Sequence, residues 1–167
     1  MRQQSGKPSK EVRTSDSAGV PGAFSISLVP NAPALVRSQI LDGLRRYNRS
    51  QTNAPQWEDL TLILQDASGA IAGGLTGQFG WSWLHIGVLW VDEYHRGAGH
   101  GSRLLEHAEE EASVRGCIGV YLDTLEFQAP SFYRARGYEA FGVLEGFPPG
   151  SRQTYFQKRF EKGAGTC

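Results

Sequence analysis

Apolar and polar positions change rhythm several times along this chain, and each change predicts an element. In FSISLVP, residues 24–30, apolar and polar side chains alternate as in a half-buried strand. The next segment spaces Val36, Ile40, Leu44 and Tyr47 along one helical face, with Asn31 as N-cap, so that stripe is expected to pack inward. LTLILQDASGAIAGGLTGQF places apolar β-formers on both sides of a turn-rich cluster at Asp66 to Gly69, which predicts a hairpin. WSWLHIGVLWV is apolar on both alternating faces except at Ser82, His85 and Gly87, the pattern of a central strand covered on both sides. Beyond it, Leu104, Leu105, Ala108 and Ala112 make a helical stripe that Gly116 is placed to end. CIGVYLDTL predicts a strand, APSFYRARGY a short helix ending near Gly137, and YEAFGVLEGF and RQTYFQKRF two closing strands. The order β-α-ββ-β-α-β-α-ββ, without repeats, describes a mixed α/β domain with one central crossover.

Composition narrows the setting. Residues 1–22 are polar, rich in serine and glycine, and read as a disordered leader; residues 23–162 form the expected domain, and 163–167 a short flexible tail. A chain of 167 residues with 40% hydrophobic side chains can bury a core as one domain. Lysine plus arginine and aspartate plus glutamate both number 17, so no net field recruits nucleic acid or an anionic membrane. Neither is expected as a partner. Cys117 and Cys167 have no metal-ligand spacing and no disulfide framework, which fits a reducing cytoplasm. No apolar run approaches the roughly 18 residues that cross a bilayer, and the N-terminus lacks a signal peptide's apolar centre.

The chemistry concentrates where the central strand meets its following helix. Gly97, Gly99 and Gly101 alternate at that junction. Glycine takes positive φ and lets a ligand approach the backbone, while the first turn of a helix offers free N–H groups and the positive end of its dipole. Strand, glycine loop and helix therefore make a candidate cradle for a pyrophosphate; a tight turn with no ligand is the plainer alternative. No lysine and hydroxyl pair follows the last glycine, so the loop is not a P-loop. Ser102 stands where a dinucleotide fingerprint would place its third glycine or alanine.

The run Arg96-Gly97-Ala98-Gly99-His100-Gly101 resembles the Arg-x-x-Gly-x-Gly signature of the GNAT acetyltransferase superfamily, and the downstream FQAPSFYRARGY and the element order from Phe24 to Phe160 strengthen the resemblance. The resemblance implies a GNAT fold with splayed central strands and acetyl-CoA as co-substrate. It implies that Leu89 and Val91 offer backbone hydrogen bonds to the pantetheine arm, and that Arg96, Gly97, Ala98, Gly99, His100, Gly101 and Ser102 receive the pyrophosphate. Arg96 and Arg103 are candidates for charge-assisted contacts, and Trp90, on the face opposite Leu89 and Val91, is expected in the core.

Attack by an amine on a thioester needs a neutral nitrogen, a stabilised oxyanion and a proton for the leaving thiolate. By resemblance, Tyr133 is the proton donor and the backbone N–H of Leu89 the oxyanion donor, while Tyr138 reads as core. His85 stands where some relatives carry a glutamate, so it is the first candidate to relay the amine's proton; Glu126 and Glu145 are the others. His95, His100 and His107 with Glu93 and Glu106 read as solvated residues around a phosphate site, and no metal is expected. By resemblance the acceptor is selected by YNRSQTNAPQWEDL and LEGFPPGSRQTYF, with Trp57, Trp81, Trp83, Phe127 and Phe147 as candidate apolar lining. A small-molecule amine is the expected acceptor, with a protein N-terminus or lysine second. A non-enzymatic acyl-CoA sensor and a homodimer stay open.

Overall fold

The computed structural model describes residues 24–52 and 57–161. The expected leader, 1–22, and tail, 163–167, lie outside the described residues. These fall in two compact units divided between Arg45 and Arg46. In the first, residues 24–29 form no strand, and Phe24 and Ile26 are almost fully exposed. Alternation marks which face a strand would bury, but only a neighbour's hydrogen bonds make the strand. Helix α1, Ala34–Gln51, begins later than an Asn31 cap would allow. Asn31 sits in a turn at φ 52°, and the first helical acceptor is the Pro33 carbonyl, which takes the Arg37 N–H at 3.3 Å. Val36, Ile40, Leu44 and Tyr47 line one face of α1 as expected, yet no residue of the helix is buried. Helical spacing sets which face is apolar, not what covers it.

The second unit is built on a six-stranded sheet. Its strands are β1 (Glu58–Gln65), β2 (Ile71–Gly80), β3 (Trp83–Val91), β4 (Gly119–Leu125), β5 (Glu139–Glu145) and β6 (Arg152–Arg159), in the order β1-β2-β3-β4-β6-β5. Every neighbouring pair is antiparallel except β3 and β4, which the crossover through α2 (His100–Val114) makes parallel. The predicted hairpin at Asp66 is present, closed by the Asp66 carboxylate, which accepts N–H bonds from Ser68 at 2.8 Å and Ala70 at 3.0 Å. The β3 strand starts two residues later than its apolar run suggests. Trp81 and Ser82 adopt φ 47° and 60° and form a two-residue turn, the left-handed geometry that matches strand twist.

Residues Leu104, Leu105, Ala108 and Ala112 of α2 are buried, as the stripe predicts, and the helix lies over β1 to β4. It ends in a Schellman closure: Cys117 N–H donates to the Ala112 carbonyl at 2.9 Å and Gly116 N–H, at φ 73°, to that of Ser113 at 2.9 Å. The core gathers Leu75, Leu84, Leu105, Val120, Leu122 and Phe156, all fully buried. A bulge interrupts β3, since Thr76 faces Val88 while Gly77 faces Ile86, leaving Gly87 unpaired. The extra residue reverses the alternation, so Leu84 and Ile86 point to the core before it and Leu89 and Val91 pack against the core after it. Trp90 is thereby turned outward and is 45% exposed, not a core residue. Among the described residues no helix is long and apolar enough to cross a membrane.

Candidate active site

The ladder between β3 and β4 holds for four paired positions, from Trp83 with Gly119 to Ile86 with Leu122. Both strands continue, but they no longer pair. The gap opens into a cleft of about 820 Å³, walled on one side by Ile86–Val91 and on the other by Leu122, Asp123 and Thr124. The backbone of β3 is turned toward this cleft at alternate residues. Asp92 N–H donates to the Ala72 carbonyl of the chain preceding β2's Gly73 at 2.9 Å, so even-numbered peptides there face β2, and those of Leu89 and Val91 face the gap. The Val91 carbonyl is met by Arg96 Nε at 2.9 Å.

The glycine loop closes one end. Asp92 Oδ1 accepts the Tyr94 N–H at 3.0 Å and shapes a short 3-10 turn, Glu93–His95, ahead of Arg96. Gly97 and Gly99 have φ of 80° and 82° with open space where a Cβ would stand, so conformation and not room demands glycine. Gly101 differs, for it lies inside the first turn of α2, where a Cβ would meet Phe132 at an ordinary 3.6 Å. Helix α2 has Gly99 as N-cap, no side-chain cap and no acidic residue in its first turn. Its first helical bond runs from Arg103 N–H to the Gly99 carbonyl at 3.1 Å. The N–H groups of His100, Gly101 and Ser102 therefore have no acceptor within the helix, and its positive end is left without an acidic neighbour in that turn.

Tyr133 forms the floor. Helix α3, Pro130–Arg134, carries it into the cleft wall, and the turn after the helix fixes it: Tyr138 N–H donates to the Tyr133 carbonyl at 3.1 Å and the two rings pack edge to face. Tyr138 is in turn anchored, its hydroxyl donating to Glu109 Oε1 of α2 at 2.9 Å while Lys158 Nζ of β6 donates to Glu109 Oε2 at 2.6 Å. Tyr138 is core, as expected. Burial pushes the Tyr133 phenol above its ordinary value, and the negative charge of Asp123 adds to the shift. The hydroxyl thus stays protonated at neutral pH.

The sequence matches the acetyltransferase (GNAT) family over residues 37–138. The chain belongs to this family, and it is an acyltransferase. An acetyltransferase of Agrobacterium fabrum is 35% identical over 137 residues, 82% of this chain and 98% of that protein. Blasticidin-S acetyltransferase of Streptomyces morookaense is 49% identical over 83 residues; the match takes 49% of this chain and spans 61% of that relative's length. The crystal structure of an acetyltransferase from Bacillus cereus superposes with a TM-score of 0.73 at 36% identity, covering 80% of this chain and 98% of that one.

Within this GNAT framework the structure sorts the remaining candidates. Residues Leu89, Val91, Arg96, Gly97, Gly99, His100, Gly101, Ser102 and Tyr133 line one cleft. His85 does not line it; its ring stacks on Tyr121 at 4.7 Å between centroids and borders a shallower depression with Asp59, Thr76 and Gln78. Arg103 is exposed and lies outside the cleft lining, while His95 lies within it. Glu126 pairs with Arg152 at 2.7 Å, and Glu145 is exposed at the end of β5. The aromatic candidates are scattered: Trp57 packs edge-on to Trp81 at 5.1 Å, Trp83 to Tyr121, Phe127 lines the cleft, and Phe147 is exposed in the β5–β6 turn. Among the described residues no group of three or more His, Cys, Asp or Glu side chains is disposed around a metal position.

Arg136 and Asp123 line the same cleft and were missed by the sequence reading. The Arg136 guanidinium lies 3.6 Å above the Phe132 ring, donates to the Phe132 carbonyl at 2.8 Å and reaches Ser102 Oγ in the first turn of α2. Its spacing from Gly137 could have flagged it, but nothing in the sequence shows which way it turns. His100, expected as a solvated residue, has its Nδ1 buried without a hydrogen-bond partner.

Proposed function

We propose that this GNAT protein transfers the acetyl group of acetyl-CoA to a primary amine of a small molecule, by direct attack within a ternary complex. The observation that carries this reading is the continuity of the cleft, which runs from the uncapped N-terminus of α2, along an unpaired edge of β3, to the buried Tyr133. The pyrophosphate is received by the N–H groups of the Gly97–Ser102 loop, with charge from Arg136 and Arg96. The pantetheine arm runs along β3 and bonds to the Leu89 and Val91 peptides. The amine nitrogen attacks the thioester carbon, and the Leu89 N–H donates to the oxygen that becomes negative. As the C–S bond breaks, Tyr133 gives its proton to the departing sulfur. His85, outside the coenzyme cleft, takes the amine's proton through solvent on the acceptor side. A small-molecule acceptor is supported by the relative whose name gives blasticidin-S as its substrate.

The test is acetyl-CoA consumption against a panel of small amines, blasticidin-S and peptides. Turnover is expected with a small amine, and Tyr133→Phe is expected to lower kcat by roughly 10² while acetyl-CoA affinity is kept. Tight acetyl-CoA binding with no turnover on any acceptor would turn the reading into that of an acyl-CoA sensor.

A further inference from the structure

Strand register aligns Asp59, Gln78, His85, Tyr121 and Gln157 in a single row across β1, β2, β3, β4 and β6. This row lies on the face opposite the buried Leu84, Val120, Leu122 and Phe156. Its centre is the stacked pair of His85 and Tyr121, and its outer end is closed by Gln78 Nε2 donating to Asp59 Oδ1 at 2.9 Å. On the same face, two residues further along β4, stands Asp123, directly opposite Tyr155 of β6. On the β3 side that position has no partner, because the two strands cease to pair after Ile86 and Leu122. Asp123 thus stands at the open edge of the sheet, with an aromatic platform beside it, and lines the cleft that Leu89 and Tyr133 share.

The charge of Asp123 is held but not cancelled. Its carboxylate accepts from Gln153 Nε2 of β6, a neutral amide that fixes orientation and leaves the negative charge whole. The nearby Glu126 differs, being paired with Arg152. Among the described residues no cation pairs with Asp123. A fixed, uncompensated carboxylate at the wall of a cleft attracts a cation more strongly than the same group in open water, and flat rings beside it favour both cations and aromatic bodies. We propose that Asp123 docks a positively charged acceptor at the gap, with the His85–Tyr121 stack receiving a planar ring of that molecule. The inference rests on the acetyl-transfer reading and adds the acceptor's chemistry to it.

The experiment uses the full chain saturated with CoA and two probes with the same indole ring, tryptamine, which is cationic, and tryptophol, which is neutral. The wild type should bind tryptamine at least tenfold more tightly than tryptophol. Asp123→Asn, nearly isosteric, should bring the two within about twofold, while Asp59→Asn on the outer end of the row should keep the tenfold preference. In turnover with tryptamine, Asp123→Asn should raise the acceptor KM about tenfold and leave the acetyl-CoA KM within twofold. A preference that survives Asp123→Asn would overturn the proposal, as would a wild type that binds both probes equally or binds neither. Equal losses in both variants would point to a diffuse surface field and overturn it too. Failure of the wild type to bind acetyl-CoA, read in a separate titration, would instead overturn the acetyl-transfer reading beneath it.

Discussion

The two ends of the cleft are built from different materials. At the β3–α2 junction the residues from Arg96 to Ser102, all but Ala98, line the cleft and the first turn of α2 presents backbone N–H groups, helped by one arginine from beyond α3. On the β4 side the cleft wall carries Asp123, and beside it, outside the cleft lining, His85, Tyr121 and Tyr155 share its face of the sheet; these side chains come from three strands. The first end is positive and depends on backbone conformation; the second carries a free carboxylate and depends on register. A peptide N–H is the same for nearly every residue, so the first end tolerates side-chain change wherever φ is ordinary. The second changes its chemistry with each substitution. On the proposed reading, the molecule can therefore keep its coenzyme while its acceptor drifts.

The largest expected break in that contrast is at Gly99. Gly99→Val forces a β-branched residue to φ 82°, which costs about 1–2 kcal/mol for any non-glycine and more for a branched one, so the loop is expected to shift and to tilt the first N–H groups of α2. Acetyl-CoA affinity by calorimetry should fall by roughly 10² or more. Gly101→Ala should leave it within about threefold, since its Cβ meets only the Phe132 ring at 3.6 Å. Equal losses at the two glycines would erase the distinction between conformation and crowding. A smaller effect is expected at Arg136. Arg136→Gln keeps a donor near Ser102 and removes the charge, so acetyl-CoA should bind about tenfold more weakly, the scale of one charge-assisted hydrogen bond, with a shallower dependence on salt.

The smallest effect belongs to the floor of the cleft. Burial raises the phenol pKa of both Tyr133 and Tyr138 above the usual value near 10. A folded value above the unfolded one means that the stabilising contribution is complete below about pH 10 and is lost as pH climbs from there toward the folded value. The thermal midpoint of the wild type should thus fall above about pH 10, and less steeply in Tyr133→Phe. Identical slopes would mean that the Tyr133 hydroxyl is no less hydrated in the fold than in the unfolded chain.

This contrast also explains what could be read before the fold was known. The glycine loop, the α2 stripe and the turn at Asp66 are local, since a few adjacent residues set φ, spacing and caps, and each stands where its pattern places it. Tyr133 was reachable through the resemblance of FQAPSFYRARGY, a local motif, and it lines the cleft. The strand proposed for residues 24–30, the inward stripe of α1 and the core position of Trp90 failed for one shared reason. Each depended on what lies beside the segment, and for Trp90 the deciding neighbour was one unpaired residue, Gly87. Asp123 and Arg136 gave no signal because a lone carboxylate in a strand and an arginine at the end of a short helix are ordinary until register and packing turn them toward the same gap.

The sheet is in effect two leaves, β1-β2-β3 and β4-β6-β5, bound along a spine only four residue pairs long, with one further bond from Ile118 N–H to the Ser82 carbonyl. A pantetheine arm threaded between the leaves, as proposed above, would supply the rungs that the protein leaves out and so work as a splint. On the proposed reading stiffness and occupancy become one variable: a filled gap would brace the wall that carries Asp123, so the coenzyme would enter first and the acceptor would meet a finished surface.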